Sequence, residues 1–179
     1  MATLSVGGTT IFDGSALQSG VTGDVSGVTI FPAGHVIQTI MHTNTSQVAA
    51  NSVTSFNTTN KLVMGTFTPL FASSDILLIG TIASLNTANS ALVYIDFYKN
   101  ASDVTETGNL TGKTQGLIQS DDAGVWQTSG ISYLDPVAEN STSEKTYGFS
   151  LRSENSGGSA YIGYGSNTYT TLIIQEIAR

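Results

Sequence analysis

The stretch TPLFASSDILLIGTIASLNTANSALVYIDFY, residues 68–98, decides the fold of this 179-residue chain. Within it, the run ILLI at residues 76–79 places apolar side chains on both faces of any strand that forms there. A loop rich in Ser and Asn separates this run from a second apolar run, LVYIDFY, at residues 92–98. Neither run keeps a helical spacing, and short apolar runs divided by turn residues are typical of β-strands. The open question is what covers the second apolar face.

The same pattern of short apolar runs and turn residues continues from Gly34 to the C-terminus. No window of a dozen residues keeps an apolar stripe of helical period. Strands are therefore predicted at residues 35–42, 61–68, 75–83, 91–99, 114–119, 130–136, 145–152, 159–164 and 168–177. So many strands joined by short turns predict an all-β protein, an antiparallel β-sandwich and most simply a jelly roll.

The composition argues against several classes of protein. Charged residues make up 11% of the chain, against roughly 25% in ordinary soluble domains. The net charge of −7 repels phosphates, so we expect no nucleic-acid partner. The basic residues are scattered along the sequence and form no cluster there: Lys61, Lys99, Lys113, Lys145, Arg152 and Arg179.

The chain contains no cysteine, which excludes disulfides, thiolate zinc sites and cysteine nucleophiles. No stretch approaches the roughly 20 apolar residues of a membrane span, and the N-terminus lacks the features of a secretion signal. We therefore expect no membrane partner and synthesis in a cytoplasm.

Residues 1–34 differ from the rest because they are rich in glycine and contain two apolar pairs, Ile11-Phe12 and Ile30-Phe31. Such a segment cannot bury enough surface to fold alone, yet its apolar pairs need a partner surface. We predict that residues 1–34 form an extended attachment arm and that residues 35–179 form the jelly-roll domain. A disordered leader is the alternative.

Three of the predicted strands carry apolar residues on both faces. Leu77 and Ile79 form the second face in one and Ile173 and Ile177 in another, and in the third Val36 and Ile40 lie opposite Ile37 and Met41. A sandwich strand has a single core face, so the second apolar face needs other cover, either the arm or another copy of the chain. We favour another copy, because symmetric homo-oligomers are the usual result. In the predicted strand 145–152, by contrast, Ser150 and Arg152 should face water or a polar neighbour.

Three segments together resemble a family of phage virion proteins. They are FPAGHVIQTI (31–40), FTPLFASSDILLIGTI (67–82) and TTLIIQEIA (170–178). In that family a P-x-G-x-V-I-Q strand precedes a T-P-x-x-x-S-S-x-I-L segment, and an apolar strand ending in E-I-A closes the domain. The resemblance covers roughly residues 30–179, with motifs of moderate specificity. Asp75 stands where the family has Lys or another polar residue, so binding details tied to that position do not carry over.

The resemblance implies a homotrimeric jelly roll similar to the tumour-necrosis-factor fold, found in tail fibres, head fibres and capsid decoration proteins. In such a trimer the inner sheets of three subunits pack together, which would cover Leu77, Ile79, Ile173 and Ile177. It implies a virion protein, assembled in the host cytoplasm, whose partner is the major capsid protein or another virion protein.

Little in the sequence indicates a site for chemistry, and we predict no catalytic residue, metal or cofactor. His35 and His42 lie seven residues apart in one predicted strand, so they face opposite sides. Tyr94, Asp96 and Tyr98 share one strand face, and aromatic rings beside a carboxylate suit carbohydrate recognition. A polar outer face or a subunit interface explains the same three residues.

We expect a non-enzymatic protein: a trimeric capsid decoration (cement) or head-fibre protein that binds the capsid through its arm. The alternative is a tail-fibre or tail-tip protein that recognises host surface carbohydrate. A further alternative, a polysaccharide depolymerase, requires a carboxylate pair within about 10 Å.

Overall fold

The computed structural model places two compact units along the chain, residues 1–33 and 34–179. Among the residues it describes there are strands, turns and loops, and no helix. The described residues are 3–6, 9–13, 16–17, 33–51, 54–57, 59–88, 92–101, 104–107, 109–120, 127–135, 141–154, 159–163 and 169–179.

The first unit contains β1 (Thr3–Val6), β2 (Thr9–Asp13) and β3 (Ala16–Leu17), which pair as an antiparallel sheet in that order. The glycine-rich pattern of this segment predicted an extended arm, and these strands were not predicted. Ile11 and Phe12 lie in β2, whereas Ile30 and Phe31 lie outside the described residues. Attachment through this unit stays a prediction.

The second unit contains the strands that the sequence pattern predicted. Eight of the nine are confirmed, whereas the one predicted at 114–119 is found only from Ile118 onward because residues 114–117 form a turn. The four-residue strands β5 and β9 are additions that carry too short a pattern to be recognised. The strands are β4 (Val36–Asn44), β5 (Val48–Asn51), β6 (Lys61–Phe67), β7 (Asp75–Ala88), β8 (Val93–Ala101), β9 (Val104–Thr107), β10 (Ile118–Ser120), β11 (Gln127–Asp135), β12 (Lys145–Ser153), β13 (Ser159–Ile162) and β14 (Thr170–Ile177).

Eight of these strands form the two antiparallel sheets of a jelly roll. One sheet contains β4, β14 and β7 in that order, with β11 also paired to β7, and the other has the order β6-β12-β8-β10. Along the chain, the first, eighth, third and sixth of the eight strands make one sheet, and the second, seventh, fourth and fifth make the other. This is the strand order of a jelly roll. With β5 and β13 the first becomes the six-stranded sheet, and with β9 the second becomes the five-stranded sheet.

The core lies between the two sheets. Ile76, Leu78 and Ile82 of β7 are fully buried, as the alternation along this strand predicts. Phe97 and Phe149 stack at 5.4 Å between ring centroids. Gly80 makes room for this pair, because a Cβ at that position would lie 2.6 Å from the Phe149 ring. The predicted all-β antiparallel sandwich is therefore confirmed.

The two ends of the second unit are hydrogen bonded to each other. The Gly34 amide donates to the Ala178 carbonyl, and the Ala178 amide donates to the His35 carbonyl, each at 2.8 Å. The chain therefore begins and ends the jelly roll at one corner.

Candidate functional site

The outer face of the six-stranded sheet, turned away from the core, carries adjoining apolar side chains. Ile173 of β14 pairs with Met41 of β4 on one side and with Ile79 of β7 on the other. One step along, Leu77 of β7 pairs with Leu134 of β11. Residues that pair directly across strands share a sheet face. We call this surface the outer apolar face and define it as Met41, Leu77, Ile79, Leu134, Ile173 and Ile177.

Several side chains of the outer apolar face are open to solvent. Met41 is 63% exposed, Leu134 is 46% exposed and Ile79 is 37% exposed. All four residues predicted for the subunit interface lie on this face, where Ile173 pairs with Ile79 whereas Ile177 pairs with Asp75. Exposed apolar patches of this kind mark interaction surfaces in soluble proteins.

Polar groups border the outer apolar face at both ends. At one end Thr171 pairs with Thr43 and Thr81 in a row of three threonines. At the other end the Arg179 Nε lies 3.0 Å from the Asp75 carboxylate. Gln175 lies on the same face between Ile173 and Ile177, and its Nε2 donates to the Thr39 hydroxyl at 3.3 Å. Protein–protein interfaces combine apolar and polar side chains in this way.

The three segments that carry the family resemblance meet at the carboxylate of Glu176, which is fully buried. Its Oε2 accepts hydrogen bonds from Gln38 Nε2 at 2.7 Å and from the Leu70 amide at 2.9 Å. Its Oε1 accepts one from the Phe71 amide at 2.8 Å. Gln38 also donates to the Thr68 carbonyl at 2.9 Å. This Glu176 junction fixes the turn before β7 against β4 and β14, and charge-assisted bonds of this kind are strong.

The outer face of the five-stranded sheet is covered, which corrects the prediction for Tyr94, Asp96 and Tyr98. These side chains are 3%, 0% and 1% exposed, so they do not form an accessible carbohydrate patch. The Asp96 carboxylate accepts hydrogen bonds from Asn109 and from the Thr111 hydroxyl, which holds the loop after β9 over the strand. The sequence pattern missed this cover because it comes from irregular segments rather than from a strand.

Burial has an electrostatic consequence at Asp96. Removal of the carboxylate from water raises its pKa above the ordinary value of 3.8. Hydrogen bonds from Thr111, from the Phe97 amide and from Asn109 act in the opposite direction and are outweighed.

Ser150 and Arg152 were predicted to face water or a polar neighbour, and the structure places both against polar neighbours and away from water. Ser150 is fully buried and pairs directly with Asp96 across β12 and β8. Arg152 is 6% exposed and lies over the Tyr94 ring at 3.9 Å. The guanidinium is buried because it holds two irregular segments, with Nε donating to the Thr114 carbonyl at 2.8 Å and Nη1 to the Thr54 carbonyl at 3.3 Å.

A surface pocket of about 680 Å³ opens beside Arg152. Tyr94 and Arg152 line it from the strands, residues 113–116 from the loop and Glu154 from the end of β12. A smaller pocket of about 220 Å³ adjoins it and shares Thr114 and Arg152 as lining residues.

Lys113 and Arg152 therefore meet at one pocket although they are scattered in the sequence. This pair was not predicted because the two residues belong to different elements. The structure places Arg152 directly opposite Tyr94 across β12 and β8, and an arginine facing a tyrosine ring is a common cation–π arrangement.

Other polar groups contribute to structure. Lys99 and Asp135 form a buried ion pair at 2.8 Å. His42 Nε2 lies 3.0 Å from the Thr66 carbonyl, and His35 is exposed. Within the described part of the chain, no group of three or more His, Asp or Glu residues is arranged to hold a metal ion. The same residues include no helix long and apolar enough to cross a membrane.

Comparison with known proteins leaves the family open. No protein family and no curated protein matches the sequence. Solved structures with a loose likeness include infectious bursal disease virus strain Gx, with 14% identity, a TM-score of 0.38 and coverage of 79% of this chain. Strain Gt has 11% identity, a TM-score of 0.37 and 85% coverage. The VP2 subviral particle of the same virus has 12% identity, a TM-score of 0.36 and 79% coverage.

This chain spans 37% to 40% of the length of those viral chains. Likenesses at these TM-scores and identities carry no argument about function.

Proposed function

We propose that this protein is a structural component of a phage virion, a homotrimer that decorates the capsid or forms a head fibre. The observation that carries the proposal is the outer apolar face, whose exposed apolar side chains suit packing against further copies of the chain. The proposal also draws on the resemblance of three segments to phage virion proteins. The three segments meet at the Glu176 junction, where each supplies a donor or the acceptor of one buried group of hydrogen bonds. This shared contact supports treating the three motifs as parts of one pattern.

The exposed part of the outer apolar face gives an estimate of the free energy that self-association could gain from burying it. The exposed fractions of Met41, Leu134 and Ile79 together equal about one and a half side chains. Covering them is worth about 2–4 kcal/mol per protomer. Association costs about 4–15 kcal/mol, so the less exposed residues of this face and its rim must contribute as well.

In this proposal residues 1–34 attach the trimer to its particle through Ile11, Phe12, Ile30 and Phe31, with the major capsid protein or another virion protein as partner. A trimer engages three sites at once, so weak individual contacts gain by effective concentration. A tail-fibre or tail-tip protein is the alternative within the same class. We propose no enzymatic activity.

Self-association is tested by substitutions that place a charge on the outer apolar face. Met41→Asp and Leu134→Asp are the variants of choice, because both side chains are already substantially exposed and the isolated fold should tolerate the change. Sedimentation equilibrium is expected to show a trimer for the parent chain and monomers for both variants. Gln119→Asp, an exposed residue of β10, is the matched control and should remain trimeric. Trimers in all four proteins would reject this face as the interface.

Location is tested by immunogold electron microscopy of particles with antibody against residues 35–179. Label over the head supports decoration, and label confined to the tail supports the tail-tip alternative. A chain that lacks residues 1–27 should form trimers that no longer bind the particle. Undiminished binding by this truncated chain would exclude attachment through the first unit.

A further inference from the structure

The pocket beside Arg152 concentrates positive charge in an acidic protein. The chain has six basic residues and a net charge of −7. Among the described residues that line this pocket, two are basic, Lys113 and Arg152, and one is acidic, Glu154. The local excess of positive charge favours a ligand with one negative group, while the charge of the whole protein opposes polyanions.

The guanidinium of Arg152 is held in a fixed orientation. Its Nε and Nη1 donate to backbone carbonyls of Thr114, Thr54 and Ser153, and its plane lies over the Tyr94 ring. Within the described parts of the chain, the structure gives Nη2 no hydrogen-bond partner. A buried and oriented guanidinium with donors to spare is well suited to bind a carboxylate.

The wall of the pocket opposite the strands is fixed as well. Asn109 Nδ2 donates to the Lys113 carbonyl at 2.9 Å, and the Gly116 amide donates to the same carbonyl at 3.0 Å. On either side of this turn, the Leu110 amide bonds to the Phe97 carbonyl and the Leu117 amide to the Ile95 carbonyl. Such pre-formed walls lower the entropy cost of binding.

The geometry points to a binding site for a carboxylated sugar, such as a hexuronic acid, in this pocket. Arg152 and Lys113 bind the carboxylate. Thr114, Gln115 and the Glu154 carboxylate offer hydrogen-bonding partners for the hydroxyl groups. Glu154 also repels a second acidic group, which favours a sugar with one charge over an acidic peptide. The volume of about 680 Å³ lies within the range of small-molecule sites, roughly 300–1,000 Å³.

This site is independent of the proposed virion role, because a trimer on a capsid or on a tail presents the same pocket. The two tests are therefore separable. Failure of sugar binding leaves self-association through the outer apolar face untouched, and the reverse also holds.

The experiment is a titration of the isotope-labelled full chain with sodium glucuronate, followed by amide chemical shifts. Glucose and sodium acetate serve as the neutral sugar and the bare carboxylate. We expect saturable shifts confined to residues 113–116 and 152–154, with glucuronate binding at least tenfold more tightly than either reference compound.

Variants identify the groups involved. Lys113→Gln is expected to weaken glucuronate binding about two- to fivefold, the scale of an exposed ion pair, without affecting the fold. Arg179→Gln removes one positive charge at the Asp75 end of the six-stranded sheet and should leave binding unchanged. Arg152 is less suitable for substitution because it also holds two segments in place.

Three outcomes overturn the inference. The first is the absence of saturable shifts up to tens of millimolar glucuronate. The second is equal affinity for acetate and glucuronate, which would make the pocket a receptor for any carboxylate, including an acidic side chain of a protein partner. The third is equal weakening by Lys113→Gln and Arg179→Gln, which would mean that only overall charge matters.

Discussion

Replacement of Glu176 by Gln tests the Glu176 junction, which joins the three segments that resemble phage virion proteins. The side chain keeps its size but loses its charge and one acceptor oxygen. In the parent chain, one oxygen accepts from Gln38 and Leu70 and the other from Phe71. In the best arrangement, the glutamine oxygen serves the first two donors and its NH2 group faces the Phe71 amide.

The expected loss in the free energy of unfolding follows from these contacts. An unsatisfied buried amide costs about 1–3 kcal/mol, and the two remaining bonds lose the advantage of a charged acceptor. Together the loss is about 2–4 kcal/mol. Domains are stable by about 5–15 kcal/mol, so the variant should fold with a clearly lowered free energy of unfolding.

Urea unfolding measured by circular dichroism gives that free energy, at one protomer concentration throughout because the proposed self-association would add to the apparent stability. Glu144→Gln makes the same chemical change at an exposed position and should alter stability by less than about 0.5 kcal/mol. Gln38→Met completes a double-mutant cycle, in which coupling of about 0.5–3 kcal/mol is expected. Equal, small losses in Glu176→Gln and Glu144→Gln would show that the junction contributes nothing.

Three further changes test other parts of the fold. Gly65→Ala should cost about 1–3 kcal/mol, because the new Cβ would lie 2.2 Å from the His42 ring; a second change, His42→Ala, should restore most of the urea midpoint. Ser150→Asp should lower the free energy of unfolding by about 3–5 kcal/mol, since it buries a second carboxylate opposite Asp96; a near-parental urea curve would contradict this. The raised pKa of Asp96 means that the folded state binds its proton more tightly than the unfolded state, so stability falls as the pH rises from 3.8 through the raised pKa. The stability of the parent chain relative to Asp96→Asn should therefore decline over that interval, and a level or rising difference would contradict the assignment.

The strands were predictable because each carries its own local pattern. In β7 the alternation identified Ile76 and Leu78 as core residues and Leu77 and Ile79 as members of the opposite face, and the structure bears out both assignments. An apolar run bounded by turn residues can be recognised as a strand without knowing which distant strand it pairs with. The order of the strands in the two sheets was not predicted, because no single strand pattern specifies its neighbours.

The cover over the five-stranded sheet was not predictable in this way. Alternation in β8 correctly separated Asp96 from Phe97, but it could not show that irregular segments bury the polar side. The pocket has the same origin, since Lys113 comes from a loop and Arg152 from a strand thirty-nine positions later. Contacts between a strand face and a loop depend on tertiary packing, which leaves no periodic signal in the sequence.

The hydrogen-bonded corner that joins Gly34 and His35 to Ala178 makes the jelly roll a transplantable unit. A domain whose termini adjoin can be spliced into a surface loop of an unrelated carrier without stretching the carrier's backbone. The carrier needs only a tight turn that can open by the width of one strand pair. Such an insertion would present the outer apolar face on a new scaffold, where the self-association proposed for this face can be measured apart from the first unit.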